Sequence, residues 1–290
     1  MTEEKIAIVT DSTCDIDLKH LNELGVVCID LKVTKDDGSP CASDNSDESI
    51  EQFYDYISTC KELPKTSMPS PIDFGEVYTS LALLGYTHCI SIHISSAMSG
   101  TCQAARLGAE SANIEVEVID SKRNTLALAL IVRAVANKRA EGLSFAELVD
   151  FTKRISLRSN IVFSVDTLRN LVKGGRTGKA TALAASVLNI KPILALDDDG
   201  QVLQLGKARA LKGAWPKIVK IAEKAQEKFG PLEGYFVHAR NIAGVEALRK
   251  LFAEHNIDFK ELGVKKPGPV ITTHVCTGCA GFAYVPRNFS

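Results

Sequence analysis

The sequence predicts an α/β protein of two domains, with a mostly parallel sheet in residues 1–155 and a mixed sheet in residues 156–290. Three observations carry this reading. The chain has 290 residues, about twice the roughly 150 of a typical domain. Short apolar runs alternate with amphipathic stretches through the first half, which is the cadence of βαβ units. In the second half, Asp197-Asp198-Asp199-Gly200 joins two apolar runs as a hairpin signal, bringing antiparallel pairing into the pattern.

In chain order, Lys5 to Asp11 reads as a strand, and Leu18 to Leu24 as a short helix closed by Gly25. Val26 to Val33 is a second strand, stopped by Asp36-Asp37-Gly38. A helix is expected from about Ile50 to Cys60, after which Pro64, Pro69 and Pro71 mark a rigid extended loop around Lys65 to Ser70. Helix, strand and helix follow at Asp73 to Leu84, His88 to Ile94 and Ser99 to Ala109. Ile114 to Ile119 is a strand, Asn124 to Glu141 a long helix, and Phe145 to Ile155 a helix that leads out of the first domain. Beyond it, Asn160 to Val165 reads as a strand and Ala180 to Leu188 as a helix. Ile193 to Leu196 and Val202 to Ala208 form the hairpin, and strands at Gly234 to His238, Phe259 to Val264 and Pro269 to His274 complete the domain.

The chain is 45% hydrophobic and 24% charged, which excludes a mainly disordered protein. A formal net charge of -1 gives no long-range attraction to nucleic acid or anionic membrane. No run approaches the roughly 20 apolar residues of a membrane span, and Met1 to Ile6 leaves no room for a signal peptide. The eight cysteines are scattered, most inside apolar runs, as reduced core thiols would be. The expectation is a cytoplasmic protein with no nucleic-acid partner and no integral membrane segment.

Three polar clusters lie where α/β proteins place ligand contacts, at strand ends and in rigid loops. In Thr66-Ser67-Met68-Pro69-Ser70, hydroxyls beside prolines can hold a fixed donor array, although Ser70 before Pro71 also fits an ordinary helix cap. Ser95-Ser96-Ala97-Met98-Ser99-Gly100-Thr101 offers hydroxyls and free N–H groups at a helix start, an anion site or again an N-cap. His274 is read at the end of an apolar strand, where an imidazole can donate to a carboxylate or serve a structural role.

Other signals are weaker. Cys276-x-x-Cys279 has no second ligand pair at suitable spacing, so no metal or cofactor is expected. Gly174 to Thr181 resembles a phosphate loop, but Lys173 and Ala180 stand where glycine and Ser/Thr are required. No Gly-x-Gly-x-x-Gly follows the first strand. Residues 166 to 220 hold ten basic and four acidic side chains, a candidate surface for a phosphate or acidic partner, or simply a solvated face.

Seven motifs in sequence order resemble the DegV family of bacterial fatty-acid-binding proteins. They are Val9 to Asp15, Lys65 to Ser70, Ile94 to Thr101, Val118 to Lys122, Leu171 to Arg176, Ile190 to Ile193 and Gly268 to His274. The resemblance implies a DegV-like two-domain fold holding a long-chain fatty acid in a buried apolar tunnel of the N-terminal domain, its carboxylate at the domain boundary. Thr66, Ser99 and His274 match the positions that bind the carboxylate. Some members present the acid to a separate kinase that forms an acyl phosphate, and Arg176 and Arg209 match positions near phosphoryl transfer or kinase docking. Met68, Ala97 and Cys276-Thr277 depart from the family pattern, which bears on acyl-chain preference and on the turn after His274.

The chemistry agrees with a carrier. About fourteen buried methylenes contribute roughly 11 kcal/mol before ordering costs. A buried carboxylate without donors costs several kcal/mol or takes up a proton, which hydroxyl and imidazole donors offset. The rival readings are a small-molecule enzyme using Ser99 or His274 chemically, and a lipid-binding sensor that meets no kinase.

Overall fold

The computed structural model describes residues 4–42, 44–179 and 190–289. Strands β1 (Ile6–Asp11), β2 (Val26–Ile29), β5 (His88–His93) and β6 (Glu115–Asp120) form a four-stranded sheet in the order β2-β1-β5-β6, every pair parallel. β1 is buried along its whole length, as expected of a strand covered on both faces. Helices α3 (Pro71–Leu83) and α4 (Thr101–Ala109) cover one face, closing over Ala7, Val9 and Cys89. Ile6, Ile8, Ile90 and Ile92 point the other way, into the central core.

The second sheet runs β11 (Phe259–Lys265), β10 (Leu232–His238), β12 (Ala280–Pro286), β7 (Asn160–Ser164), β8 (Lys191–Leu196), β9 (Val202–Ala208). Only β10 and β11 pair parallel. On its outer face Phe236, Phe259 and Phe282 meet Phe252 of α9 (Ile242–Glu254) edge-to-face, with α8 (Trp215–Phe229) packed alongside. Its inner face shares the central core with the first sheet. Between the sheets lies α5 (Thr125–Ala140), buried on nearly every side because its sequence is apolar all round. The largest apolar cluster therefore runs through both halves.

Several expected elements differ. The run Val26 to Val33 divides: β2 joins the parallel sheet, while β3 (Lys32–Thr34) turns away and pairs antiparallel with β4 (Lys65–Ser67), in what was expected to be a loop. The helix expected from Ile50 begins earlier, as α2 (Asp47–Thr59), because Ser46 caps it. Pro269 to His274 is not a strand but the helix α10 (Pro269–Val275), with Gly268 at its N-cap and proline in its first turn. The strand that fills that place is β12, and α8 and α9 are further elements. The expected helix Ala180 to Leu188 lies outside the described residues.

A buried polar chain pins the ends of β1 and β5. Asp11 Oδ2 lies 2.9 Å from His93 Nδ1, His93 Nε2 lies 2.7 Å from Ser91 Oγ, and Ser91 Oγ lies 2.8 Å from Tyr78 OH. Asp11 also accepts the Ile94 N–H at 3.0 Å and the Thr13 N–H at 3.1 Å. All of Asp11, Ser91, His93 and Tyr78 are sealed from solvent.

Asp15 is a second buried carboxyl, in a left-handed conformation at φ 56°. Burial pushes it up to about 8, against the nearby Thr125 hydroxyl and Gly268 N–H, and neither oxygen completes a hydrogen bond of good geometry. From about pH 4 to about pH 8 the folded state therefore holds a proton that the unfolded chain releases, so stability falls as pH rises through that window. Asp15→Asn removes this contribution. Thermal melts at about pH 5 and pH 8 should show the variant gaining on the parent at the higher pH; parallel shifts of the two proteins would contradict the assignment.

Candidate functional site

A cavity of about 440 Å³ opens between the two halves, within the range of small-molecule sites. The second half supplies most of its apolar wall: Phe163 of β7, α7 (Arg169–Lys173) through Leu171, Leu196 of β8, Val202 of β9, and Val270 and Ile271 of α10. The first half brings the hydroxyls, Thr66 and Ser67 of β4 and Ser99, beside Met68, Met98 and Asn124. The result is an apolar chamber with a polar side.

Each polar group has a local reason for its place. Thr66 stands opposite Val33 in the β3–β4 ladder. Ser99 ends a tight turn that starts as β5 ends: its N–H donates to Ser95 O at 3.1 Å, and Ser95 Oγ in turn donates to Gly200 O at 2.9 Å. Helix α4 starts only at Thr101, so Ser99 is not its cap; its hydroxyl meets Thr101 Oγ1 at 2.8 Å. Ser70, by contrast, is the cap of α3, in a capping box with Asp73.

His274 sits in the last turn of α10. Its Nε2 lies 3.2 Å from Thr66 Oγ1, joining the two halves. Its Nδ1 is buried without a partner, facing the bare Cα of Gly174; a Cβ there would come within 2.3 Å. Burial, aided by the Arg176 guanidinium, pushes His274 down to about 4, so the ring is neutral near pH 7.

Thr66, Ser99, His274 and Arg176 thus line one cavity, while Arg209 does not. Arg176 crosses the mouth, donating through Nε to Met98 O at 3.3 Å and through Nη1 to Gly174 O at 2.6 Å. Arg209 is exposed just beyond β9, about 20 Å along the strand from cavity-lining Val202. Two site residues escaped the sequence reading. Gly174 lies in the stretch that only resembles a phosphate loop. Asn124 looks like a helix cap, yet it makes no capping bond; its Nδ2 donates instead to Met98 Sδ at 3.3 Å.

A family model described as an uncharacterised protein family, DegV, matches residues 5–287. The chain belongs to the DegV family. A DegV domain-containing protein of Halalkalibacterium halodurans is 33% identical over 97% of this chain and 98% of its own length. Among solved structures, a DegV family protein from Thermus thermophilus, described for its fatty acid binding, is 32% identical with a TM-score of 0.87, covering 97% of this chain and 99% of that one. A fatty acid binding DegV family protein from Streptococcus agalactiae is 27% identical with a TM-score of 0.89, covering 99% and 100%. The DegV fold, a four-stranded parallel sheet joined to a mixed six-stranded one, is the α/β fold the sequence led us to expect. Among the described residues of this DegV chain, no helix is long and apolar enough to cross a membrane, and no cluster of three or more His, Cys, Asp or Glu could hold a metal ion.

Proposed function

We propose that this DegV chain binds a long-chain fatty acid in the interdomain cavity and presents its carboxylate to a kinase that forms an acyl phosphate. One observation carries the binding half: an apolar chamber whose polar side is formed by Thr66, Ser99 and His274. Two solved relatives are described as binding fatty acids, which supports the same ligand class here. In the tautomer that carries its proton on Nε2, neutral His274 donates to the Thr66 oxygen and leaves the Thr66 proton free to point at the carboxylate beside the Ser99 hydroxyl. Donors of this kind offset the several kcal/mol that burying a carboxylate costs.

The carrier reading is favoured over an enzyme using Ser99 and His274. That chemistry needs the hydroxyl against the imidazole, whereas Ser99 Oγ meets Thr101 and His274 Nε2 meets Thr66. Arg176 across the mouth and the exposed Arg209 give a kinase a basic surface to approach, which supports the second half of the proposal.

Mass spectrometry of lipid extracted from purified protein tests the binding. A stoichiometric long-chain acid is expected, with Thr66→Ala/Ser99→Ala retaining about a tenth or less of it at unchanged fold. No acid in either protein, and no uptake of added acid, would rule the carrier out. Acyl phosphate formed only when kinase, ATP and loaded chain are combined is the expected result for presentation, and Arg176→Ala/Arg209→Ala should lower its rate.

A further inference from the structure

Away from the lipid cavity, a pocket of about 210 Å³ gathers four cations against a single acid. Arg123, Arg158, Lys224 and Lys228 line it, with Asp198 and Tyr284. Arg123 is the unusual member, for it is only 1% exposed. Its Nε donates to Ser159 O, and its Nη1 to Lys122 O at 2.8 Å and Asp197 O at 2.9 Å. These acceptors are backbone carbonyls, which carry no charge. The other edge of the guanidinium, Nη2, makes no hydrogen bond among the described residues and belongs to the side chain that lines the pocket.

The other three cations are equally uncommitted. Arg158 lies over the Phe289 ring and Lys228 over the Phe229 ring, and none of the four has an ion-pair partner among the described residues. A buried guanidinium that has Asp120, Asp197 and Asp198 nearby but no direct ion pair is a costly arrangement, and three more cations around the same hollow add to the repulsion. A bound oxyanion relieves both. Only Nη2 of the guanidinium is left to donate, and the surplus of positive charge suits an anion carrying more than one negative charge.

We propose that this pocket is a binding site for a multiply charged phosphate group, held by Nη2 of Arg123 at its base and by Arg158, Lys224 and Lys228 at its rim. The site is separate from the lipid cavity and does not depend on the fatty acid reading. Because Asn124 lines the lipid cavity, the two sites touch consecutive residues at the start of α5.

Calorimetric titration and thermal melts with inorganic phosphate, pyrophosphate and metal-free ATP, each at matched ionic strength against sodium chloride, distinguish free phosphate from phosphoanhydride and nucleotide sources. Saturable binding of at least one of these at one per chain, with a raised melting temperature, is expected. Lys224 and Lys228 are exposed, so Lys224→Ala/Lys228→Ala should melt like the parent without ligand yet bind roughly tenfold or more weakly. Absence of saturable binding for all three probes, or equal binding by the double variant, would overturn the site.

Discussion

Alanine at position 174 is expected to cost fatty acid capture roughly 10- to 100-fold while leaving the fold standing. Gly174 has φ −77°, so its backbone accepts alanine without strain. The effect is purely one of space. The new methyl would lie 2.3 Å from His274 Nδ1 and 3.1 Å from Asn170 O, and only the imidazole can give way. Once it swings, its 3.2 Å contact with Thr66 is lost, and the threonine hydroxyl is no longer aimed. Extracted lipid measured beside a urea melt separates the two consequences. Full lipid occupancy in Gly174→Ala would show that the imidazole does not set the Thr66 hydroxyl.

Asp11→Ala is expected to destabilise the protein by about 3–5 kcal/mol, the largest effect on stability predicted for any single polar residue here. The substitution leaves the Ile94 N–H, the Thr13 N–H and the His93 ring nitrogen buried without their acceptor. Each orphaned group costs about 1–3 kcal/mol, and relaxation recovers only part. Asp11→Asn keeps one acceptor oxygen and should fall between parent and alanine variant in urea denaturation. A loss below about 1 kcal/mol for Asp11→Ala would mean that the chain through Ser91 and Tyr78 adds little beyond local bonds.

Burial on both faces made β1 legible, because Ile6 to Val9 reads as a continuous apolar run whatever surrounds it. Helix α10 was misread for an instructive reason. Val270, Ile271, Thr272 and Thr273 are β-branched, and their strand preference outweighed the glycine and proline that start a helix just before them. β12 failed in the opposite sense. It carries Ala280, Gly281 and Pro286, poor strand formers, yet it is the central strand. Gly281 is there because a side chain would come within 2.1 Å of Val162 O in the neighbouring strand, a tertiary demand with no local signature.

The site was legible only in part, and for a related reason. Taken singly, Thr66, Ser99 and His274 could each be an ordinary cap or structural residue; the family resemblance was what grouped them. The Thr66–His274 contact spans 208 positions and depends on how the halves meet. Arg123 shows the limit most clearly. In Lys122-Arg123-Asn124 it looks like one charge in a solvated turn, and nothing local announces that three carbonyls will enclose it.

The cavity's divided wall has a kinetic consequence. An occupant touched by both halves would be held from two sides at once, so a motion that draws β4 and α10 apart would shorten its residence time more than a change in either wall alone.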